Sequence, residues 1–283
     1  MRSSTTRVTL QVLMAFALAR PIVSQATTQR PAVTRDTTVL LRYLGNSGWW
    51  IRTPAGSLVI DYVGRNAARD NIGPRLVALR PSELSDRPVA IIATHEHDDH
   101  FATGLLAWAD SVPRGSVAAG GPSPLRPQDM RLEPRTSVTV GPARLWTIRS
   151  TDSGVGLLAR IGDVTIYHAG DHARWVDEID GDYRAEVDHL ASLGMAVDIA
   201  FVPMAMGSRC NATESLRTGA MYAIARLKPR VTVPMHVRCG GVMGERYQAF
   251  ADAASAAGYT AVAPRAIGEE FSYAEGRLTR RTR

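Results

Sequence analysis

The segment His95-Glu96-His97-Asp98-Asp99-His100 places three histidines and three acids in six consecutive positions, directly after the apolar run Val89-Ala90-Ile91-Ile92-Ala93. The whole chain has seven histidines, so a solvated charged loop is a poor account of this concentration. Imidazole is the commonest metal ligand, and carboxylates complete sites for zinc and related divalent ions. A helical His-Glu-x-x-His site needs its second histidine four residues after the first, and counting from His95 that position is Asp99. The pattern is instead His-x-His-x-Asp-His. Residues 95, 97 and 99 share a face while the chain stays extended, and His100 turns back as a helix begins. One short segment can thereby feed two adjacent metal ions.

Three other places put a possible ligand just after an apolar strand. Val164-Thr165-Ile166-Tyr167-His168 breaks at Gly170 before Asp171 and His172, Val231-Thr232-Val233-Pro234-Met235 ends in His236, and Leu58-Val59-Ile60 ends in Asp61. Taken singly, Asp171 and Asp61 could cap turns and His236 could be a satisfied histidine at the domain edge. Their occurrence together with the 95–100 cluster favours one shared site.

The elements that must carry these residues can be read from periodicity and turn signals. Strands are expected near 38–44, 48–53, 57–62, 89–94, 116–119, 137–140, 143–149, 155–161 and 164–168. Helices are expected at 103–110, 182–193, 213–227 and 245–257, alternating with the apolar runs 199–203 and 231–235. Strand-rich and helix-bearing halves in one chain suggest two sheets packed together with helices outside.

With "THEHDDH" at 94–100, "YHAGD" at 167–171 and "PMH" at 234–236 in this order, and "LGNSGWWI" and "LVIDYV" near the start, the chain resembles the metallo-β-lactamase superfamily from about residue 39 to 270. The resemblance implies an α/β fold, the four-layer αββα sandwich, with metals held at one edge between the sheets. It implies that His95 and His97 bind a first ion, that Asp99, His100 and His236 bind a second, and that Asp171 bridges both. The "HAGD" form is closer to the broad hydrolase branch, similar to ascorbate-phosphate lactonases and phospholipase-D-like enzymes, than to antibiotic-destroying members. One expected ligand is missing, because no histidine lies between 101 and 167. Asp152 is the candidate substitute, since a carboxylate can ligate zinc, manganese or iron; an Asx-turn leading into Gly154 is its competing reading. His168 and Asp61 are assigned behind the ligands, and His172 and His189 to the surface or behind the ligands.

The chemistry implied uses Zn2+, one or two ions, with Mn2+ or Fe2+ as alternatives. A divalent ion lowers the pKa of its water toward neutrality and polarises a substrate oxygen. Asp99, besides holding metal, could orient that water or shuttle its proton. The expectation is therefore a hydrolase acting on a small ester, lactone or phosphodiester. A β-lactamase opening cyclic amides and a catalytically weak metal-binding or sensing module are the alternatives. No Gly-x-Ser-x-Gly elbow, phosphate-binding loop or dinucleotide fingerprint competes. Ser208 and Arg209 could contact an anionic substrate, but a solvent-facing loop is the better account of that pair.

The beginning of the chain, Met1 to Ala26, has a basic start, an apolar core over 8–19 and small residues near Ser24 and Ala26, which reads as a secretory signal peptide. Residues 27–37 read as a linker and 38–283 as one domain, exported to the periplasm or beyond, with no stable membrane span after processing. Removing residues 1–26 takes away three arginines and no acid, so the formal charge falls from +6 to +3. That excess is nearly all arginine and lacks an interleaved aromatic pattern, so no nucleic-acid partner is expected. The segment Arg277–Arg283 reads as a solvated tail. In an oxidising compartment Cys210 and Cys239 could pair, and sequence leaves this open.

Overall fold

The computed structural model describes residues 38–64, 78–102, 104–204, 213–237 and 243–282. The signal-peptide and linker segments, Ser208, Arg209 and both cysteines lie outside the described residues.

Two sheets form the middle of the molecule. The larger runs β14-β13-β1-β2-β3-β4-β5-β6 and the smaller β12-β11-β10-β9-β8-β7. In chain order, β1 is Val39–Gly45, β2 Gly48–Thr53, β3 Gly56–Ile60, β4 Val89–Ala93, β5 Gly115–Gly120, β6 Met130–Leu132 and β7 Ser137–Val140. They continue with β8 Ala143–Arg149, β9 Val155–Ile161, β10 Val164–His168, β11 Ile199–Pro203, β12 Val231–Met235, β13 Glu270–Ala274 and β14 Arg277–Arg280. The helices are α1 Leu105–Asp110, α2 Asp180–Ser192, α3 Glu214–Leu227 and α4 Met243–Ala256.

The central strands are apolar on both faces because both faces are covered. In β4, Ala90 and Ile92 join the core between the sheets, while Val89, Ile91 and Ala93 pack outward with Leu105 and Ala109 of α1. Across the interior, Trp49 of β2 meets Phe201 of β11 at 4.6 Å between ring centroids and Tyr43 of β1 at 5.0 Å. Helices α2 and α3 cover the outer face of the smaller sheet, joined where Tyr183 Oη donates to the Gly219 carbonyl at 2.6 Å. The result is an αββα sandwich.

Several strands differ from the sequence expectations, β13 among them, since no strand was expected over Glu270–Ala274. Arg277–Arg283 is not a free tail from its first residue: Arg277–Arg280 pairs with β13 in antiparallel register, Tyr273 opposite Leu278. Leu278 joins the core, Arg280 Nη2 donates to the Ala263 carbonyl at 2.9 Å, and Arg280 also pairs with Glu269. Leu278 points inward between the exposed Arg277 and Thr279, so a high charge count conceals a strand. The short β6 was likewise not expected, being three residues with only Leu132 buried.

Among the described residues no helix is long and apolar enough to cross a membrane.

Candidate metal centre

Parallel strands deliver their C-terminal ends to one edge of a sheet, where ligand sites collect in open α/β folds. Here β3 and β4 are parallel in the larger sheet, and β10, β11 and β12 are parallel in the smaller. Asp61 follows β3, His95–His100 follow β4, Asp171 follows β10 and His236 follows β12. Asp152 sits on the turn between β8 and β9.

After β4 the chain is not extended through residue 99. The His97 carbonyl accepts from the His100 and Phe101 amides, each at 2.8 Å, closing a turn. That turn sends Asp99 and His100 to one side and leaves His95 and His97 on the other. Two groups result, with the candidate ligand atoms of each within 4.8 Å of one another: His95, His97, Asp152 and Asp171; and Asp99, His100 and His236.

In the first group His95 Nε2 lies 3.0 Å from His97 Nδ1, and Asp152 Oδ2 lies 3.5 Å from His97 Nδ1. In the second, Asp99 Oδ2 is 3.3 Å from Nε2 of both His100 and His236. Asp171 belongs to both. Its Oδ2 lies 3.6 Å from His95 Nε2, whereas its Oδ1 lies 3.1 Å from His100 Nε2 and 3.2 Å from His236 Nε2.

Buried hydrogen bonds behind the groups aim the rings. The Asp61 carboxylate accepts from the Thr94 amide at 2.7 Å, from Thr94 Oγ1 at 2.9 Å and from His100 Nδ1 at 2.8 Å. Thr94 Oγ1 in turn lies 3.1 Å from His95 Nδ1. With Nδ1 of both rings donating, His95 and His100 present an Nε2 lone pair to the centre, the arrangement in which imidazole ligates metal. Asn46 Nδ2 donates to Asp99 Oδ2 at 3.0 Å, and the Asn46 carbonyl accepts from the His236 amide at 3.1 Å. Trp175 Nε1 donates to the Asp171 carbonyl at 3.0 Å and holds its ring 6.0 Å from that of His236.

Burial alone would raise the carboxylates and lower the imidazoles. It prevails at His95, pushed down to about 4 by desolvation and then by the charge of His100. At Asp171 and Asp99 burial is overcome by the charges of His100 and His236, so both stay below the usual carboxylate range. His100 and His236 are raised against their burial, His100 by Asp171, Asp61 and Asp99 and His236 chiefly by Asp171 and Asp99. Three buried carboxylates therefore demand positive charge, and a divalent cation held by neutral imidazoles would supply it. The donor atoms fit such an ion: His100 Nε2 and Asp171 Oδ1 are fully buried and make no hydrogen bond, although they stand 3.1 Å apart. Atoms aimed at a common point, rather than at each other, have this geometry.

The other expected residues fall as follows. His168 is not in either group: its Nδ1 accepts from the Gly170 amide at 3.2 Å, and its Nε2 donates to the Ser47 carbonyl at 2.9 Å. It lies 3.9 Å from the Asp61 carboxylate. His172 is not a surface residue. It is buried, stacked on Tyr183 at 4.8 Å, with Nε2 donating to the Tyr183 carbonyl at 3.2 Å. His189 lies on α2, half-buried and outside both groups. The turn at 150–154 is closed by Ser150 Oγ, which accepts from the Asp152 amide at 3.1 Å. The Asp152 carboxylate is thus free of the Asx-turn role and faces His97. Sequence reasoning missed Asn46 and Thr94, whose roles are hydrogen bonds across the fold, and Trp175, which bonds to the Asp171 carbonyl within its own loop. The Gly45-Asn46-Ser47-Gly48 turn was the only signal for Asn46.

Comparison with known proteins gives a consistent picture. The family described as "Beta-lactamase superfamily domain" matches residues 40–236. A UPF0173 metal-dependent hydrolase of Desulforamulus reducens is 25% identical over 248 residues, covering 78% of this chain and 94% of the relative. Among solved structures, Igni18, a metallo hydrolase of Ignicoccus hospitalis, superposes with a TM-score of 0.59 at 17% identity, covering 84% of this chain and 99% of its own. CmlA, a diiron beta-hydroxylase from Streptomyces venezuelae, has a TM-score of 0.55 at 15% identity, over 83% of this chain and 54% of its own. These last two likenesses concern the fold.

Proposed function

This chain belongs to the β-lactamase superfamily and is a metal-dependent hydrolase within it, and from that premise we propose that it hydrolyses a small ester, lactone or phosphodiester at a centre of two divalent ions. The observation that carries the reading is the division of Asp171, with one oxygen toward His95 and the other toward His100 and His236. His95, His97, Asp152 and Asp171 would hold one ion, and Asp99, His100, His236 and Asp171 the other. Zinc is the first expectation from the imidazole-rich donors, with manganese or iron suited to the carboxylates. Bound there, such ions would polarise a substrate oxygen and make water a stronger nucleophile at neutral pH.

The residues themselves do the positioning. Asp61 and Thr94 lock the His100 and His95 rings, and Asn46 fixes Asp99. As a ligand, Asp99 would also orient water by accepting its hydrogen bond, or shuttle its proton. His97 and Asp152 are the exposed members, with side chains 47% and 43% accessible, so substrate approaches from their side. Trp175 walls the site beside His236.

Export is part of the proposal and rests on the basic start and apolar run of residues 1–19. N-terminal sequencing of the protein from cell fractions tests it, since a mature N-terminus at Met1 in the cytoplasm would overturn it. The function is tested by counting ions in the purified protein and measuring turnover on ester, lactone and phosphodiester panels before and after metal removal. Full turnover by metal-free protein would sink the reading.

A further inference from the structure

The residues on either side of Asp152 are tied to two different loops of the centre. Thr151 Oγ1 donates to the Ala173 carbonyl at 2.7 Å and accepts from the Ala173 amide at 2.9 Å, fastening the turn to the loop that carries Asp171. Ser153 Oγ donates to the Glu96 carboxylate, at 2.9 Å from Oε1 and 2.8 Å from Oε2, fastening it to the histidine segment. Backbone contact adds to this, because the Val155 amide donates to the Thr94 carbonyl at 3.0 Å.

Three glycines make the approach possible. A Cβ on Gly120 would lie 2.3 Å from the Thr94 carbonyl oxygen, one on Gly154 2.1 Å from the same atom, and one on Gly121 2.3 Å from Glu96 Oε2. Gly154 also has φ +63°, which costs glycine nothing. An exposed aspartate on an unanchored turn would lose rotamer and backbone freedom on binding an ion; here the backbone share of that cost is met by contacts that do not involve the ion.

We propose that Glu96 and Ser153, with Thr151, form a two-sided clamp that holds Asp152 opposite His97 as a ligand of the more exposed ion. Glu96, the one acid between the first two histidines, is then a positioning residue and not a ligand. The proposal rests on the reading of Asp152 as a ligand given above.

The test is a cobalt(II) titration of the full-length chain followed by absorption in the visible, which reports ligand number at each ion separately from turnover. Ser153→Ala and Thr151→Val should each weaken the exposed ion about tenfold, the scale of outer ligand contacts, and leave the buried ion unchanged. Glu96→Gln keeps an acceptor for Ser153 and should bind as the parent does, whereas Glu96→Leu should behave as Ser153→Ala. The buried ion's spectrum serves as the folding control within each sample. Unchanged affinity and spectrum in Ser153→Ala, Thr151→Val and Glu96→Leu, alongside a loss in Asp152→Ala, would overturn the clamp while leaving Asp152 a ligand. Two ions bound normally by Asp152→Ala would remove the underlying reading instead.

Discussion

The Asp61 carboxylate and the His100 imidazole meet at 2.8 Å through Nδ1, and neither side chain reaches solvent. This contact leaves Nε2 of His100 on the side of Asp171 and Asp99, 3.1 and 3.3 Å from their nearer oxygens. Asp61 itself has φ +49°, a conformation that asparagine also tolerates. Asp61→Asn therefore changes charge and acceptor capacity with little backbone penalty. Ion affinity, measured by competition with a chelator, should fall roughly 10- to 100-fold. An unchanged affinity would show that His100 needs no such partner.

Asp152 is the proposed substitute for the histidine ligand that the family resemblance implies and residues 101–167 lack. Replacing it by alanine should lower the content of purified protein from about two ions per chain to about one, and Asp152→His should keep two. Elemental analysis at defined free zinc decides this. Retention of both ions by the alanine variant would relegate Asp152 to the rim.

Gly154 lies against the histidine segment, where a Cβ would come within 2.1 Å of the Thr94 carbonyl oxygen and 2.7 Å of His95 Cβ. Gly154→Ala combines that clash with a positive φ, and should cost more than about 2 kcal/mol in denaturant unfolding. A smaller loss would mean that the turn and the His95 backbone can separate easily.

Chelation should abolish hydrolysis, and zinc or manganese should restore it. Ion binding also stabilises by linkage, by about 4 kcal/mol when the free ion is a thousandfold above its dissociation constant. The thermal midpoint should therefore fall on chelation. Penicillins, cephalosporins and carbapenems should be poor substrates; efficient opening of any of them would favour the cyclic-amide alternative.

Leu278 is buried at the outer strand of the larger sheet, 9% exposed. Leu278→Ala should destabilise by about 2 kcal/mol, the low end for buried leucines because the position is peripheral. No measurable loss would indicate that β14 is dispensable.

What was legible in the sequence follows from where the information lies. The runs ending in Asp61, His95, Asp171 and His236 are apolar on both faces and stop at polar residues, so both strand and tip are local signals. Two packed sheets with helices outside are suggested by the strand-rich and helix-bearing halves, and the αββα sandwich by the family resemblance. The Asn46 turn was visible but its role was not, because that role depends on Asp99, 53 positions away, through a contact no periodicity encodes. The strand Arg277–Arg280 was concealed by composition, since one inward Leu278 among arginines reads as a tail. The Thr151 and Ser153 contacts required knowing that the β8–β9 turn lies between two loops. The residue types there, Ser-Thr-Asp-Ser-Gly, would suit any surface turn.

Asp171 and His236 enter the chain long after His97 has been made, yet all three face the same few ångströms. No growing polypeptide shorter than about residue 236 can display the full set of donors. On the two-ion reading proposed above, an ion held by His236 would be captured only after most of the chain had been made.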